Sequence, residues 1–317
     1  MPKKIQNVLL IGGSGFIGLN LAKALSGTGA KITIFCKNPK KIKNIRFYRN
    51  FSIIKGDVYD YDSVEKSIIG KDVIINFASV VSHDSSFDVF NDVKTNLIGQ
   101  LNILEARKKV NPNSRYIFIG SRAQFGIVDK KSFPIKENYC QNPVSLYGIH
   151  KQTAENYCHL YKRAFNLNSI VLRLPQVYGP SLTSDKTYNI INKFVKIALK
   201  NQQFKVNGYG NDIKDFIYVG DVVDLMVKIL NSDVAKGTFN VGSGNKIKLI
   251  DVAKKIIKMC SSGSYKAVTF PKDIEKFELG GFYFDISKVS KQFKWKPKIS
   301  LDKGIMMTIN HYKKLGN

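Results

Sequence analysis

The chain has 317 residues, 44% of them hydrophobic, with a formal net charge of +26. That length exceeds one ordinary domain and carries enough apolar side chains for a packed core, so one large domain with a smaller partner is expected. The apolar run Val8 to Ile11 is too short and wrongly flanked for a signal peptide, and no later run approaches the roughly 20 apolar residues of a membrane span, so a soluble, cytoplasmic protein without membrane association is predicted. Arginine occurs only seven times, at positions 46, 49, 107, 115, 122, 163 and 173, while Lys, Ile and Asn are abundant; the charge reflects a lysine-rich background rather than a nucleic-acid face. Cys36, Cys140, Cys158 and Cys260 are scattered, and His83, His150, His159 and His311 show no ligand spacing, so reduced thiols and no metal are expected.

Taken in chain order, short β-rich runs alternate with amphipathic segments. Strands are predicted at Ile5 to Ile11, Lys31 to Phe35, Ser52 to Lys55, Val73 to Phe77, Arg115 to Ile119 and Ser169 to Leu174. Helices are predicted at Phe16 to Leu25, Tyr61 to Ile69, Phe87 to Val110 and Pro143 to Ala164, the last with Asn142 as N-cap and Pro143 at the first helical position. This alternation is the pattern of an α/β fold, a Rossmann-type doubly wound parallel sheet. Beyond Gly179-Pro180 the alternation weakens; a helix at Thr187 to Lys200, short strands at Ile213 to Tyr218 and Thr238 to Val241, and a helix at Asp221 to Leu230 are expected. The reading assigns 1–175 to the nucleotide-binding domain, with a return at about 213–245, and assigns 176–212 and 246–317 to a smaller α/β C-terminal lobe that binds substrate.

Gly12-Gly13-Ser14-Gly15-Phe16-Ile17-Gly18 lies between the first strand and the first helix. There Gly12 permits the tight turn, Gly15 lets backbone approach a pyrophosphate, and Gly18 allows close helix–strand packing, with the phosphates facing the helix N-terminus. At the end of the second strand an acid would bind the adenosine ribose hydroxyls, but the chain reads Phe35-Cys36-Lys37-Asn38-Pro39-Lys40-Lys41. Lysines there suit a 2′-phosphate, so NADP(H) is favoured over NAD(H), which the motif also admits. Asp57 in Gly56-Asp57-Val58 is placed to contact the adenine edge, unless it is a solvated turn aspartate.

Among 15 tyrosines only Tyr147 has a lysine four residues on, Lys151. On a helix the two share a face, and the ammonium of Lys151 would favour tyrosinate and lower the tyrosine pKa towards working pH, making Tyr147 a usable general acid or base. Ser121, just past the fifth strand, lies at the carboxyl edge where open sheets bind ligands and can share the substrate oxygen.

With Gly12-x-x-Gly15-x-x-Gly18, Ser121, Tyr147-x-x-x-Lys151, Arg173-Leu-Pro-Gln-Val-Tyr-Gly-Pro180 and Lys214-Asp-Phe-Ile-Tyr-Val219, the chain resembles the extended short-chain dehydrogenase/reductases, in particular the NAD(P)-dependent nucleotide-sugar epimerase/dehydratase family. The landmarks run from residue 8 to about Trp295-Lys296-Pro297. The resemblance implies hydride exchange between nicotinamide and a sugar carbon, with Tyr147 moving the hydroxyl proton, Ser121 orienting that oxygen and Lys151 also holding the nicotinamide ribose. It further implies a cofactor site of Gly12, Gly15, Phe16, Ile17, Gly18, Lys37, Asp57, Val58, Phe77, Ala78, Asn96, Tyr147 and Lys151. Ser121, Arg122, Gln176, Asn189 and Lys214 are the implied contacts for a nucleoside diphosphate sugar. A homodimer through the helices Phe87 to Val110 and Pro143 to Ala164 is also implied.

Departures from the family pattern narrow the chemistry. Arg122 and Ala123 stand where dehydratases carry an acid after the catalytic hydroxyl, which argues against dehydration. Gln176 replaces a common Asn, and no arginine follows Arg173 to clamp a diphosphate, leaving Lys214 as a point charge without the bidentate fork. The leading expectation is an NADPH-dependent reductase of a 4-keto sugar nucleotide. An NAD-dependent 4-epimerase is the alternative, and a reductase of non-nucleotide carbonyl compounds or a non-catalytic dinucleotide sensor are further ones.

Overall fold

The computed structural model describes residues 6–42, 51–81, 88–183, 189–234, 236–275 and 278–316. Its strands β1 (Asn7–Ile11), β2 (Lys31–Cys36), β3 (Phe51–Lys55), β4 (Val73–Asn76), β5 (Arg115–Ser121) and β6 (Ser169–Leu174) join Gly237–Asn240 in a seven-stranded sheet. The spatial order is β3, β2, β1, β4, β5, β6, Gly237–Asn240, with Leu10 paired in parallel to Ile34 on one side and Ile75 on the other. Strand order reverses beside β1, and such a switch point opens a crevice at the carboxyl ends of the strands. Val8–Ile11 and Val73–Ile75 are uninterrupted apolar runs at most 1% exposed, as expected for strands covered on both faces.

Helices α1 (Phe16–Leu25), α2 (Tyr61–Ile68), α3 (Val89–Asp92), α4 (Gly99–Val110) and α5 (Leu146–Phe165) connect these strands. One face of the sheet is sealed by Val64 and Ile68 of α2, Ile103 and Leu104 of α4, and Ala154 and Cys158 of α5, packed on Leu9, Ile11, Ile74, Tyr116 and Phe118. Each such fully buried Leu, Ile or Phe contributes about 1.5–3 kcal/mol. Asp60 caps α2 by accepting from the Ser63 N–H at 3.2 Å, a device worth about 1 kcal/mol.

Two helices differ from the sequence expectation. The long helix expected from Phe87, a residue outside the described ones, is short α3, then a π-helical segment at Val93–Ile98, then α4. Periodicity does not register the change of winding, because Thr95, Asn96, Gly99, Gln100, Ile103 and Leu104 are buried as a helix face would be. The second long helix does not begin at Pro143: Ser145 is its N-cap, its hydroxyl accepting from the Gly148 N–H at 3.2 Å. Pro143 instead folds against the first turn, its Cβ 2.9 Å from where a Cβ on Gly148 would stand.

The chain forms two compact units, the first of residues 1–126, 140–173 and 225–239 and the second of 127–139, 174–224 and 240–317. In the second, Gln176–Tyr178 pairs in parallel with Phe216–Tyr218, Gln203–Asn207 in parallel with Ser264–Val268, and Ile213–Lys214 antiparallel with Ile247–Lys248. The single strand expected over Ile213 to Tyr218 is therefore two pieces. They break at Asp215, a fully buried carboxylate that accepts from Ser243 N at 2.8 Å, Ser243 Oγ at 2.7 Å and Phe284 N at 3.2 Å. Burial pushes this carboxyl up to about 6 against those bonds. Helices Ile190–Leu199, Leu249–Cys260 and Leu301–Gly316 complete this unit, with Phe194 stacked on Phe204 at 4.2 Å between ring centroids.

Candidate active site

The turn after β1 has the shape a dinucleotide needs. Gly12 takes φ +68°, and a Cβ there would lie 2.5 Å from Ala78 N, so the turn passes directly over the end of β4. Ala78 N in turn donates to Asn76 Oδ1 at 2.9 Å, and Phe77 N to Ile11 O at 2.8 Å, which locks the two strand ends together. A Cβ on Gly18 would stand 2.6 Å from Gly13 Cα, so α1 begins tight against the turn. At Gly15 the surroundings are open: its Cβ position meets only Gly12 O, at 3.4 Å. No acid occupies the first turn of α1, and no side chain caps it. The N–H groups of Phe16, Ile17 and Gly18, which have no partner within the helix, are thus available to an anion, and a pyrophosphate fits this cradle.

At the end of β2, Lys37 Nζ pairs with Asp57 Oδ2 at 2.9 Å, both side chains about half exposed. Asp57 Oδ1 accepts from Tyr59 N, so the carboxylate is held in place. Val58 is buried against Gly99 of α4, whose Cβ would lie 2.5 Å from Val58 Cγ2, and its carbonyl accepts from Asn102 Nδ2 at 2.9 Å.

Ser121, Tyr147 and Lys151 come together in the same unit. Ser121 ends β5 and begins a short 3-10 turn, Arg122–Phe125, where its hydroxyl accepts from Ala123 N at 3.2 Å and its N–H donates to Gln124 Oε1 at 2.7 Å. A Cβ on Gly148 would stand 2.5 Å from Ala123 O, so only glycine after Tyr147 lets α5 approach this turn so closely. The approach brings the Tyr147 phenol under the influence of the Ser121 and Ser79 hydroxyls, which favour its ionised form. Burial raises the Tyr147 phenol above its ordinary value, with the two hydroxyls acting against that rise, so the lowering expected from Lys151 is not found: desolvation outweighs it. Lys151, one turn on, donates from Nζ to Ile119 O at 2.9 Å and lies 5.8 Å from the centroid of the Tyr147 ring. Burial lowers its ammonium to about 8, while the charge of Asp92 acts in the opposite sense. The arrangement presents two hydroxyls to one acceptor, with a cation behind the phenol, and suits proton transfer to or from a carbonyl or alcohol oxygen.

Asn96, expected near the cofactor, sits in the π-helical segment and braces the chain beyond β4. Its Oδ1 accepts from Ser79 Oγ and Val80 N, each at 3.1 Å, and its Nδ2 donates to Val80 O at 3.0 Å and Asp92 Oδ1 at 2.5 Å. Ser79, Asp92 and His150 were not singled out from the sequence. His150 stands inside the Tyr147 motif and Asp92 four residues before Asn96, but only folding shows that His150 Nδ1 lies 2.6 Å from Asp92 Oδ1.

The expected substrate contacts are distributed over both units. Arg122 is buried in the turn that Ser121 begins. In the second unit, Gln176 opens a strand beside Phe216, its N–H donating to Asp215 O at 3.3 Å. Lys214 is buried and donates to Glu278 Oε1 at 2.8 Å and Gly280 O at 3.0 Å, with Asp212 Oδ2 at 3.7 Å, so local carboxylates already offset its charge. Asn189 caps the helix Ile190–Leu199 by accepting from Ile191 N and Asn192 N, and its amide nitrogen donates to Val177 O. Among the described residues no cluster of three or more His, Cys, Asp or Glu could hold a metal, and no helix is long and apolar enough to cross a membrane.

The model of the NAD dependent epimerase/dehydratase family matches residues 8–242. A putative UDP-glucose 4-epimerase of Methanocaldococcus jannaschii is 29% identical over 96% of this chain and 98% of its own length. A trifunctional UDP-glucose 4,6-dehydratase/UDP-4-keto-6-deoxy-D-glucose 3,5-epimerase/UDP-4-keto-L-rhamnose-reductase of Arabidopsis thaliana is 27% identical over 97% of this chain, which spans only 47% of that longer relative. The crystal structure of UDP-glucose 4-epimerase with UDP-glucose from Thermotoga maritima superposes with a TM-score of 0.88 at 26% identity, covering 98% of this chain and all of that one.

Proposed function

The chain belongs to the NAD dependent epimerase/dehydratase family, and on that premise we propose that it reduces the ketone of a 4-keto sugar nucleotide with NADPH. The observation that carries this reading is the end of β2, where residues 37–41 hold three lysines and no acid, with Lys37 paired to Asp57. Elimination of water finds no support beside Ser121, which is followed by Arg122 and Ala123 rather than an acid.

The N-terminus of α1, Gly12, Gly15, Asp57 and Lys151 would hold the dinucleotide, which supplies the hydride when bound. The protein's own part is the proton. Ser121 donates a hydrogen bond to the ketone oxygen and aligns it, and Tyr147 delivers its phenolic proton to that oxygen as negative charge develops there. Tyrosinate left behind is stabilised by the Lys151 ammonium, 5.8 Å from the ring centroid. Sugar and nucleotide contacts are assigned to Arg122, Gln176, Asn189 and Lys214.

A second reading, a 4-epimerase that retains NAD through both half-reactions, is favoured by the names of the Methanocaldococcus relative and the Thermotoga structure. Denaturing the purified protein and identifying the released dinucleotide separates the two. The reductase reading expects little bound nucleotide and NADPH consumption in the presence of a 4-keto sugar nucleotide. Stoichiometric NAD with UDP-glucose and UDP-galactose interconverting would replace it with the epimerase.

A further inference from the structure

Asp92 is a carboxylate with no exposed surface, at the junction of α3 and the π-helical segment. One oxygen, Oδ1, accepts from both Asn96 Nδ2 and His150 Nδ1, while Oδ2 is buried with no hydrogen-bond partner. A carboxylate only accepts, so Nδ1 of His150 carries the proton and the imidazole tautomer is fixed. An acid buried with one unsatisfied oxygen is costly, and an apolar side chain would fill the same volume without that cost. Packing therefore does not explain Asp92. Its surroundings do, since side-chain hydrogen bonds run from Asp92 to Asn96 and from Asn96 to Ser79, whose hydroxyl acts on the Tyr147 phenol. The π-helical winding between Asp92 and α4 is a feature often found where a helix serves a site.

We propose that Asp92, held by His150, the residue before Lys151 in α5, is a positioning residue of the proton-transfer site: it fixes Asn96 and through it Ser79 beside Tyr147. The inference rests on the reading of Tyr147 and Lys151 as the proton-transfer pair. The charged and titratable groups that meet here are Asp92 from α3 and His150, Tyr147 and Lys151 from α5; β5 contributes the Phe118 ring, 5.0 Å from Lys151 Nζ, and the Ile119 carbonyl. Asp92 is the charged residue whose field raises the proton affinity of both Tyr147 and Lys151. The imidazole N–H offsets part of that field by drawing on the carboxylate's charge. Neutralising Asp92 and removing His150 must then act on Lys151 in opposite directions.

The test follows Lys151 directly, in chain labelled with 13C at lysine Cε, its resonance assigned by disappearance in Lys151→Arg. Wild-type is expected to titrate at about 8. Asp92→Asn is expected to lower the midpoint by roughly half to one pH unit, and His150→Ala to raise it by a similar amount. His150→Asn, whose Nδ2 stands where the imidazole Nδ1 stood and can still donate to Asp92, restores the wild-type midpoint. A residue that served folding alone would change the melting temperature of these variants and leave the midpoint in place. The proposal is overturned by an unchanged midpoint in folded Asp92→Asn, or by a midpoint that stays or falls in His150→Ala. Should Asp92→Asn fail to fold, the two His150 variants decide the matter. Failure of the underlying catalytic reading looks different: Tyr147→Phe would then keep its turnover, whatever Lys151 does.

Discussion

Glu155 of α5 and Arg173 of β6 form a buried two-point ion pair, Arg173 Nη2 lying 2.6 Å from Glu155 Oε1 and Arg173 Nε 3.0 Å from Oε2. The same carboxylate accepts from Gln124 Nε2 at 2.6 Å, and Gln124 Oε1 in turn accepts from the N–H of Ser121. The pair thus anchors the turn that presents the catalytic hydroxyl. Burial pushes the Glu155 carboxyl up, but bonds from His159, Arg173 and Gln124 outweigh it and hold the group at about 2. Because its folded value lies below the unfolded one, this stabilisation is complete above about 4.5 and is lost as pH falls towards about 2. Glu155→Gln is expected to cost about 3 kcal/mol in urea unfolding at neutral pH, since a buried guanidinium loses its counter-charge. It should also flatten the acid limb of stability over that window.

Tyr147→Phe keeps the ring and removes the proton. Turnover should drop by about 10²–10⁴-fold, while the dissociation constant for NADPH, read by fluorescence titration, stays within about twofold.

The depressed Lys151 value carries a pH prediction. Below about 8 the ammonium is present and stabilises tyrosinate; above it the charge is lost, so the turnover rate should fall on the alkaline side with a limb near about 8. The stability contribution has the opposite sense. The folded chain releases this proton at lower pH than the unfolded chain does, so the penalty for burying the charge is full below about 8 and relaxes as pH rises towards about 10.5. Lys151→Arg, which stays charged, should lose the limb, and a rate profile measured from pH 6 to 10 checks it.

Lys37→Asp places a carboxylate where ribose hydroxyls would be bound and a 2′-phosphate repelled. The ratio of kcat/KM for NADPH over NADH should fall by at least about tenfold, or about 1.4 kcal/mol. An unchanged ratio would remove the basis for the NADPH preference.

Gly12→Ala should impair folding and cofactor binding together. Its φ of +68° is strained for alanine, and the new Cβ would press on Ala78 N at 2.5 Å. A loss of about 1–3 kcal/mol in stability, with weakened NADPH binding, is expected from denaturant and fluorescence titrations.

Much of the fold was legible in the chain because buried parallel strands are written as runs such as Val8 to Ile11 and Val73 to Ile75, whose length and flanking turns leave few other assignments. The helix interruption at Val93–Ile98 was not legible, since α and π winding bury the same stripe of residues and differ only in hydrogen-bond register. Helix starts are comparably ambiguous: Asn142-Pro143 and Ser145 are both good caps by local chemistry, and the choice of Ser145 follows from the close packing of Gly148 on Ala123.

By itself the sequence determined the strand–turn–helix with its glycines, the order of the parallel sheet's elements, and the four-residue spacing that sets Tyr147 and Lys151 on one helix face. These are local or periodic properties, readable from neighbouring residues. Only the tertiary structure decided that Ser79 is held by Asn96, that Lys214 is already matched by Glu278, and that Asp92 is buried on His150. Those relationships join residues far apart in the chain, 58 positions for Asp92 and His150, and their energies depend on distance and burial, which no stretch of sequence contains.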